Sequence, residues 1–177
     1  EALSDYNTAV ELEPDNDEVY YQRALFYEGE EEWELALVDY QKALELDPDD
    51  ELNFFYVAYV FQMLGRYDQA LSTYLQYIER IGEDAVVYNN MAALYDDDLE
   101  DYDKALEYFN KAIDLEPEYA PYYTYRASLL YDHFNKKEEA LSDYNTAVEL
   151  EPDNDEVYYQ RALFYEGEEE WELALVD

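Results

Sequence analysis

The chain carries one histidine, His133, which lies beside Asp132 with Lys136 and Lys137 close behind it. Imidazole is the side chain best suited to proton transfer near neutrality, but catalysis also needs a nucleophile and an orienting group, and the sequence places neither nearby. Cysteine is absent, which excludes disulfides, thiol catalysis and thiolate metal sites and says nothing of compartment. There is no glycine-rich phosphate loop, no G-x-S-x-G and no histidine pair at metal-ligand spacing. What remains is carboxylate. The runs Asp47, Asp49, Asp50, Glu51 and Asp96, Asp97, Asp98, Glu100, Asp101, Asp103 offer the oxygens that calcium takes, but lack the glycine and spacing of a dedicated loop. They read as helix caps and solvated turns with calcium held loosely at most. No catalytic, cofactor-binding or resident-metal residue is assigned, and the chain is not expected to be an enzyme.

Its 177 residues are 49% hydrophobic, enough for a core, with 47 acidic residues against 10 basic ones and a formal net charge of -37. Such a surface repels phosphate backbones and anionic headgroups, so nucleic acid is excluded as a partner. No apolar run approaches the length of a bilayer-spanning helix, so no membrane insertion is expected. The chain opens at Glu1 with no signal-like segment, and no asparagine is followed by x-Ser/Thr. Twenty-three tyrosines and seven phenylalanines, against four glycines and five prolines, favour helices with large amphipathic side chains and short connections.

The elements that position these groups recur. AVELEP ends at Pro14, ALELDP at Pro48, AIDLEP at Pro117 and AVELEP again at Pro152. Each proline stops a helix, and the Asp, Asn and Glu that follow supply side-chain oxygens to cap the next. Between Pro14 and Pro48 apolar residues return at helical spacing in two blocks, Tyr20, Ala24, Tyr27 and Trp33, Ala36, Leu37, Tyr40, Ala43, Leu44, so each repeat is a helical hairpin. Full repeats span 17–50, 51–84, 85–119 and 120–154, with partial copies at 1–16, a second helix, and 155–177. The third and fourth carry one extra residue, before Tyr102 and near Phe134, in the turn between their helices.

This pattern resembles the tetratricopeptide repeat family along the whole chain: Tyr20, Ala24, Tyr27, Ala36, Tyr40, Ala43 and Pro48 fill the family's large, small, aromatic, small, aromatic, alanine and proline positions. The second repeat departs from it with Tyr77 for alanine and Gly82 for proline. The resemblance implies an all-α, right-handed superhelical solenoid of antiparallel helix-turn-helix repeats, whose first helices line a peptide-binding face. Carried across, Tyr21, Leu25, Phe55, Tyr59, Asn89, Thr124, Ser128 and Tyr131 are the candidate contacts on that face. Only Asn89 has a type suited to the family's carboxylate clamp, so an acidic peptide tail is not the expected ligand; a basic or aromatic peptide is. Arg23, Arg126 and Arg161 recur at one position of their first helices and are expected to pair with repeat carboxylates such as those of the acidic turns.

A second period lies above the first: residues 1–39 return unchanged as 139–177, an offset of 138 residues or four hairpins. A super-unit of four unlike hairpins therefore repeats, and neither end shows a polar capping element, so the array is expected to continue by covalent repetition or end-to-end stacking. Residues 17–154 hold 34 acidic and 9 basic residues, a charge of -25 per super-unit. A structural, self-associating extended fibre, at a cell surface or outside the cell where salt and cations relieve repulsion, is the first functional expectation. An intracellular adaptor holding a peptide in its groove is the second, and adaptation to high salt would account for the acidity under either.

Overall fold

A computed structural model describes residues 2–174, in two compact units, the chain passing from the first to the second between Glu83 and Asp84. Glu1 and residues 175–177, which belong to the partial copies, lie outside the described residues. The first unit holds α1 (Ala2–Leu12), α2 (Asp17–Gly29), α3 (Trp33–Leu46), α4 (Glu51–Met63) and α5 (Tyr67–Arg80). The second holds α6 (Ala85–Ala93), a π-helical turn (Leu94–Asp98), α7 (Tyr102–Leu115), α8 (Ala120–Asp132), α9 (Lys137–Leu150), α10 (Asp155–Gly167) and α11 (Trp171–Ala174). The described residues are all-α, and each unit is a stack of helical hairpins: α2 pairs with α3 and α4 with α5, then α6 with α7, α8 with α9 and α10 with α11. Second helices pack onto the next hairpin, α1 on α2 and α3 on α4 in the first unit, α7 on α8 and α9 on α10 in the second.

Capping follows the side-chain chemistry. The carboxamide of Asn16 accepts from the Glu18 N–H at 3.1 Å, Asp50 from Leu52 at 2.9 Å, Asp84 from Val87 at 3.0 Å and Asn154 from Glu156 at 3.0 Å. These bonds satisfy helix-start donors that the helix itself leaves open. The tyrosine that opens a first helix also ties down the helix before it: Tyr20, Tyr123 and Tyr158 donate their hydroxyls to the carbonyls of Pro14, Pro117 and Pro152 at 3.1, 3.0 and 3.1 Å.

Alanines make the close approaches. Ala24, Ala36, Ala43, Ala58, Ala70, Ala92, Ala105, Ala112, Ala127, Ala140 and Ala147 have no exposed surface, and Tyr40, Tyr74, Phe109 and Tyr144 fill the gaps between them. Tyr77, standing where the other repeats carry alanine, is itself buried, with the rings of Phe54 and Phe55 5.7 and 5.4 Å away.

Every turn inside a hairpin closes the same way, on one left-handed residue: Glu31 (φ 59°), Gly65 (φ 67°), Glu100 (φ 52°), Asn135 (φ 52°) and Glu169 (φ 60°). The next N–H then reaches back to the first helix, Glu32 to the Tyr27 carbonyl, Arg66 to Phe61 and Glu170 to Tyr165, each five residues away. In the two longer repeats the same bond spans six residues, from Asp101 to Tyr95 and from Lys136 to Leu130. The extra residue is absorbed as the π-helical turn Leu94–Asp98 in the third repeat and at His133 in the fourth. Only Gly65 among these five residues lacks a Cβ to clash at positive φ. Gly65→Ala, with nothing within 4 Å of its added methyl, is expected to lose about 1 kcal/mol from strain alone, and Glu31→Gly to gain a similar amount. Equilibrium urea unfolding of both variants checks the pair of opposite signs.

Candidate protein-interaction surfaces

The arginines at the repeated first-helix position are clasps. Arg126 in α8 donates through Nε and Nη2 to Asp143 of α9, both at 2.7 Å, and through Nη1 to Asn110 of α7 at 2.7 Å. Arg23 in α2 does the same with Asp39 of α3 at 2.6 and 2.7 Å and Asn7 of α1 at 2.9 Å. Arg161 in α10 meets Asn145 of α9 at 2.8 Å. A planar fork suits this work because it can hold a carboxylate in two bonds and still reach a third helix. The carboxylates it uses are not those of the acidic turns. Asp39 and Asp143 stand inside second helices, 3% and 7% exposed.

The turn carboxylates are engaged locally: Asp50 caps α4, Asp49 pairs with Arg80 at 2.7 Å and Asp101 with Lys104 at 2.8 Å. Among the described residues no group of three or more histidines and carboxylates converges on a metal position. His133 stacks on Tyr102, ring centres 3.7 Å apart, with Asp96 3.6 Å from its Nε2. Burial, and then repulsion from Asp97, push the Asp96 carboxyl above its ordinary range. The imidazole is thus packed in a turn between a ring and a carboxylate.

The eight residues expected on the first-helix face are held in different ways. Tyr21 packs on Tyr40 and Tyr56 (5.8 and 5.3 Å), Phe55 on Tyr74 and Tyr77 (6.5 and 5.4 Å), and Tyr59 edge-on to Trp33 at 6.1 Å. Burial, then a hydrogen bond to Tyr56, raise the Tyr21 phenol well above its ordinary pKa. Leu25 is half-buried, and so is Asn89, whose Oδ1 is buried without a hydrogen-bond partner. Thr124 donates to the Pro121 carbonyl at 2.9 Å, while Ser128 shares a 3.0 Å bond with the Tyr144 hydroxyl. Tyr131 donates to Glu168 at 3.0 Å. Thr124 and Ser128 together line a cavity of about 150 Å³ with Pro121, Tyr125, Val157 and Gln160.

Tetratricopeptide repeat families match residues 18–50, 52–118 and 135–167. The chain belongs to the tetratricopeptide repeat family. Members of that family mediate protein–protein interaction. No curated protein matches the sequence. Among solved structures, the chain is similar to YrrB, described as a tetratricopeptide repeat protein with an unusual peptide-binding site, at 23% identity and a TM-score of 0.64, covering 96% of this chain and 87% of that one. It is similar to residues 41 to the end of MamA from Desulfovibrio magneticus RS-1 at 23% identity and a TM-score of 0.72, with 87% and 86% covered. It is also similar to yeast Tom70 at 23% identity and a TM-score of 0.78, with 98% of this chain but 37% of that one covered. These likenesses concern the fold.

In this tetratricopeptide repeat chain the duplicated 39 residues meet two environments. In the second copy α8 covers α9 and α10: Ala140 and Ala147 are fully buried, Asp143 holds Arg126, and Tyr144 and Phe164 pack with Ala127 and Leu130 in one cluster. In the first copy the same residues are Ala2 and Asp5, which are exposed, and Ala9, Tyr6 and Phe26, which are half-buried. Gly167 approaches Tyr131 so closely that a Cβ on it would lie 2.5 Å from the phenol oxygen, whereas its duplicate Gly29 has nothing within 4 Å. The same residues are thus more exposed on α1–α2 than on α9–α10.

Proposed function

We propose that this tetratricopeptide repeat chain is a non-enzymatic structural protein whose hairpins stack into an extended fibre, copy upon copy. One observation carries the reading: residues 1–39 return unchanged as 139–177, so the alanines, aspartate and tyrosine that α8 buries on α9–α10 recur, residue for residue, on α1–α2. A complementary surface that differs from its own complement makes a head-to-tail contact, and head-to-tail contacts that do not close generate filaments. The charge of -25 in residues 17–154 keeps such a filament extended and makes its assembly depend on salt or divalent cations, which the acidic turns would gather loosely.

Electron microscopy at low and moderate salt, with and without calcium, tests this. Filaments with an axial period of four hairpins are the expected result. Discrete particles under all conditions would overturn it and leave the second reading, an adaptor that holds a basic or aromatic peptide on the first-helix face. The observation favouring that reading is the cavity of about 150 Å³ beside Thr124 and Ser128, a small opening beside a face whose other residues are largely packed.

A further inference from the structure

The clasp is absent from one junction of the first unit. Counting along the repeats, the positions filled by Asn110, Arg126 and Asp143 in the second unit are Gln41, Val57 and Thr73 in the first. Where the arginine stands, the groove between α7 and α9 over α8 is narrow, about 320 Å³, and is lined by all three clasp residues. Where valine replaces it, the corresponding groove between α3 and α5 over α4 widens to about 740 Å³ and is lined by Gln41, Val57 and Thr73. That is the size of a site for a ligand of several residues.

Its surfaces specify the ligand further. Phe54, Val57 and Phe61 form an apolar floor. Gln41, Gln69 and Gln76 stand on the walls. A carboxamide both donates and accepts, so it can pair with the N–H and C=O of an extended backbone. The side chains of Gln41 and Gln69 make no hydrogen bond among the described residues. The rim carries Glu45, Glu79 and Arg80; Arg80 is paired with Asp49 at 2.7 Å and Glu45 with Lys42 at 3.1 Å, so the charge left facing a ligand is the negative one of Glu79. A second copy of this acidic chain is therefore disfavoured in the groove, and a cationic segment is favoured.

We propose that the second-helix groove formed by α3, α4 and α5 binds an extended peptide that alternates basic and apolar residues, its apolar side chains on Phe54, Val57 and Phe61 and a cation at Glu79. This site lies apart from the first-helix face and is independent of fibre formation. The sister repeat fills it with the Arg126 guanidinium; here the space is left for a partner's.

The test is fluorescence anisotropy at 150 mM salt with a fluorescein-labelled peptide of alternating arginine and leucine. A peptide of alternating arginine and glycine, of equal charge, is the comparison. The triple variant Gln41→Asn, Val57→Arg, Thr73→Asp rebuilds the clasp with no change in net charge. It is expected to weaken the arginine–leucine peptide at least tenfold, and the wild-type chain is expected to prefer that peptide over arginine–glycine by a similar factor. Should the triple variant fold poorly by circular dichroism, Glu79→Lys and Glu149→Lys replace it, since they change charge equally at matching exposed positions of α5 and α9. Only the first should weaken binding, by about fivefold or more. Equal binding by both peptides, by the clasp variant and wild type, or by the two lysine variants would reduce the effect to diffuse attraction by a polyanion and overturn the site.

Discussion

Arg126→Ala is expected to cost about 3 kcal/mol and to do so without emptying any part of the apolar core. The loss is electrostatic: Asp143, whose side chain is 9% exposed, would lose both hydrogen bonds from the guanidinium and remain a charge shut away from water. The Arg126 side chain retains 21% exposure, which lets solvent weaken the pair and keeps the figure at the low end for a buried ion pair. Asn110 would lose its partner too. The chain itself holds the control, because the first unit solves the same junction with Gln41, Val57 and Thr73. Replacing all three residues together, Asn110→Gln, Arg126→Val and Asp143→Thr, is expected to recover most of the stability, since it removes the buried charge along with its counterion. Urea unfolding of wild type, single and triple variants measures the difference. A triple variant as unstable as the single would mean that the arginine contributes by packing and not by pairing.

Tyr40→Ala should cost about 4 kcal/mol, the range for deleting a buried aromatic ring. Tyr40 has no exposed surface, stacks on Tyr56 with centroids 4.9 Å apart, leans on Tyr21 at 5.8 Å and donates its hydroxyl to Glu28 at 2.6 Å. Burial first, and the hydrogen bond to Glu28 second, raise its phenol well above the ordinary range, so it remains a neutral donor at any working pH. Tyr40→Phe keeps the ring and gives up the bond, and should lose about 1 kcal/mol. The contrast between the two variants, read by thermal unfolding of the first unit's helices, separates ring packing from the hydroxyl.

Much of this architecture was open to a reading of residues. Proline after a helical stretch, with Asp or Asn behind it, fixed where helices stop and restart, because ring closure at proline and side-chain capping act over two or three residues. The alanines at fixed intervals marked the places where helices touch, since only a methyl group fits there. The clasp was half legible: Asn7, Arg23 and Asp39 lie 16 residues apart in steps, and Asn110, Arg126 and Asp143 nearly so. That spacing directs the arginines to aspartates inside helices and away from the dense acidic turns.

The candidate site was less legible, for a physical reason. Which face of a helix a residue occupies follows from periodicity, but whether its side chain is free depends on what reaches it from helices distant in sequence. Tyr21 and Phe55 are on first helices by spacing alone, yet their rings are held by Tyr56 and Tyr77, which no local rule couples to them. The groove over α4 is likewise a property of three helices at once: a valine on one, a glutamine and a threonine on its neighbours. Residue order alone dictates the helices, their caps, the hairpin repeat, the exact duplication of 39 residues and the charge, all of which are local or additive. Tertiary packing settled which buried aspartates hold the arginines. It alone also distinguished the two copies of one sequence, because burial is set by neighbours and identical residues can have different ones.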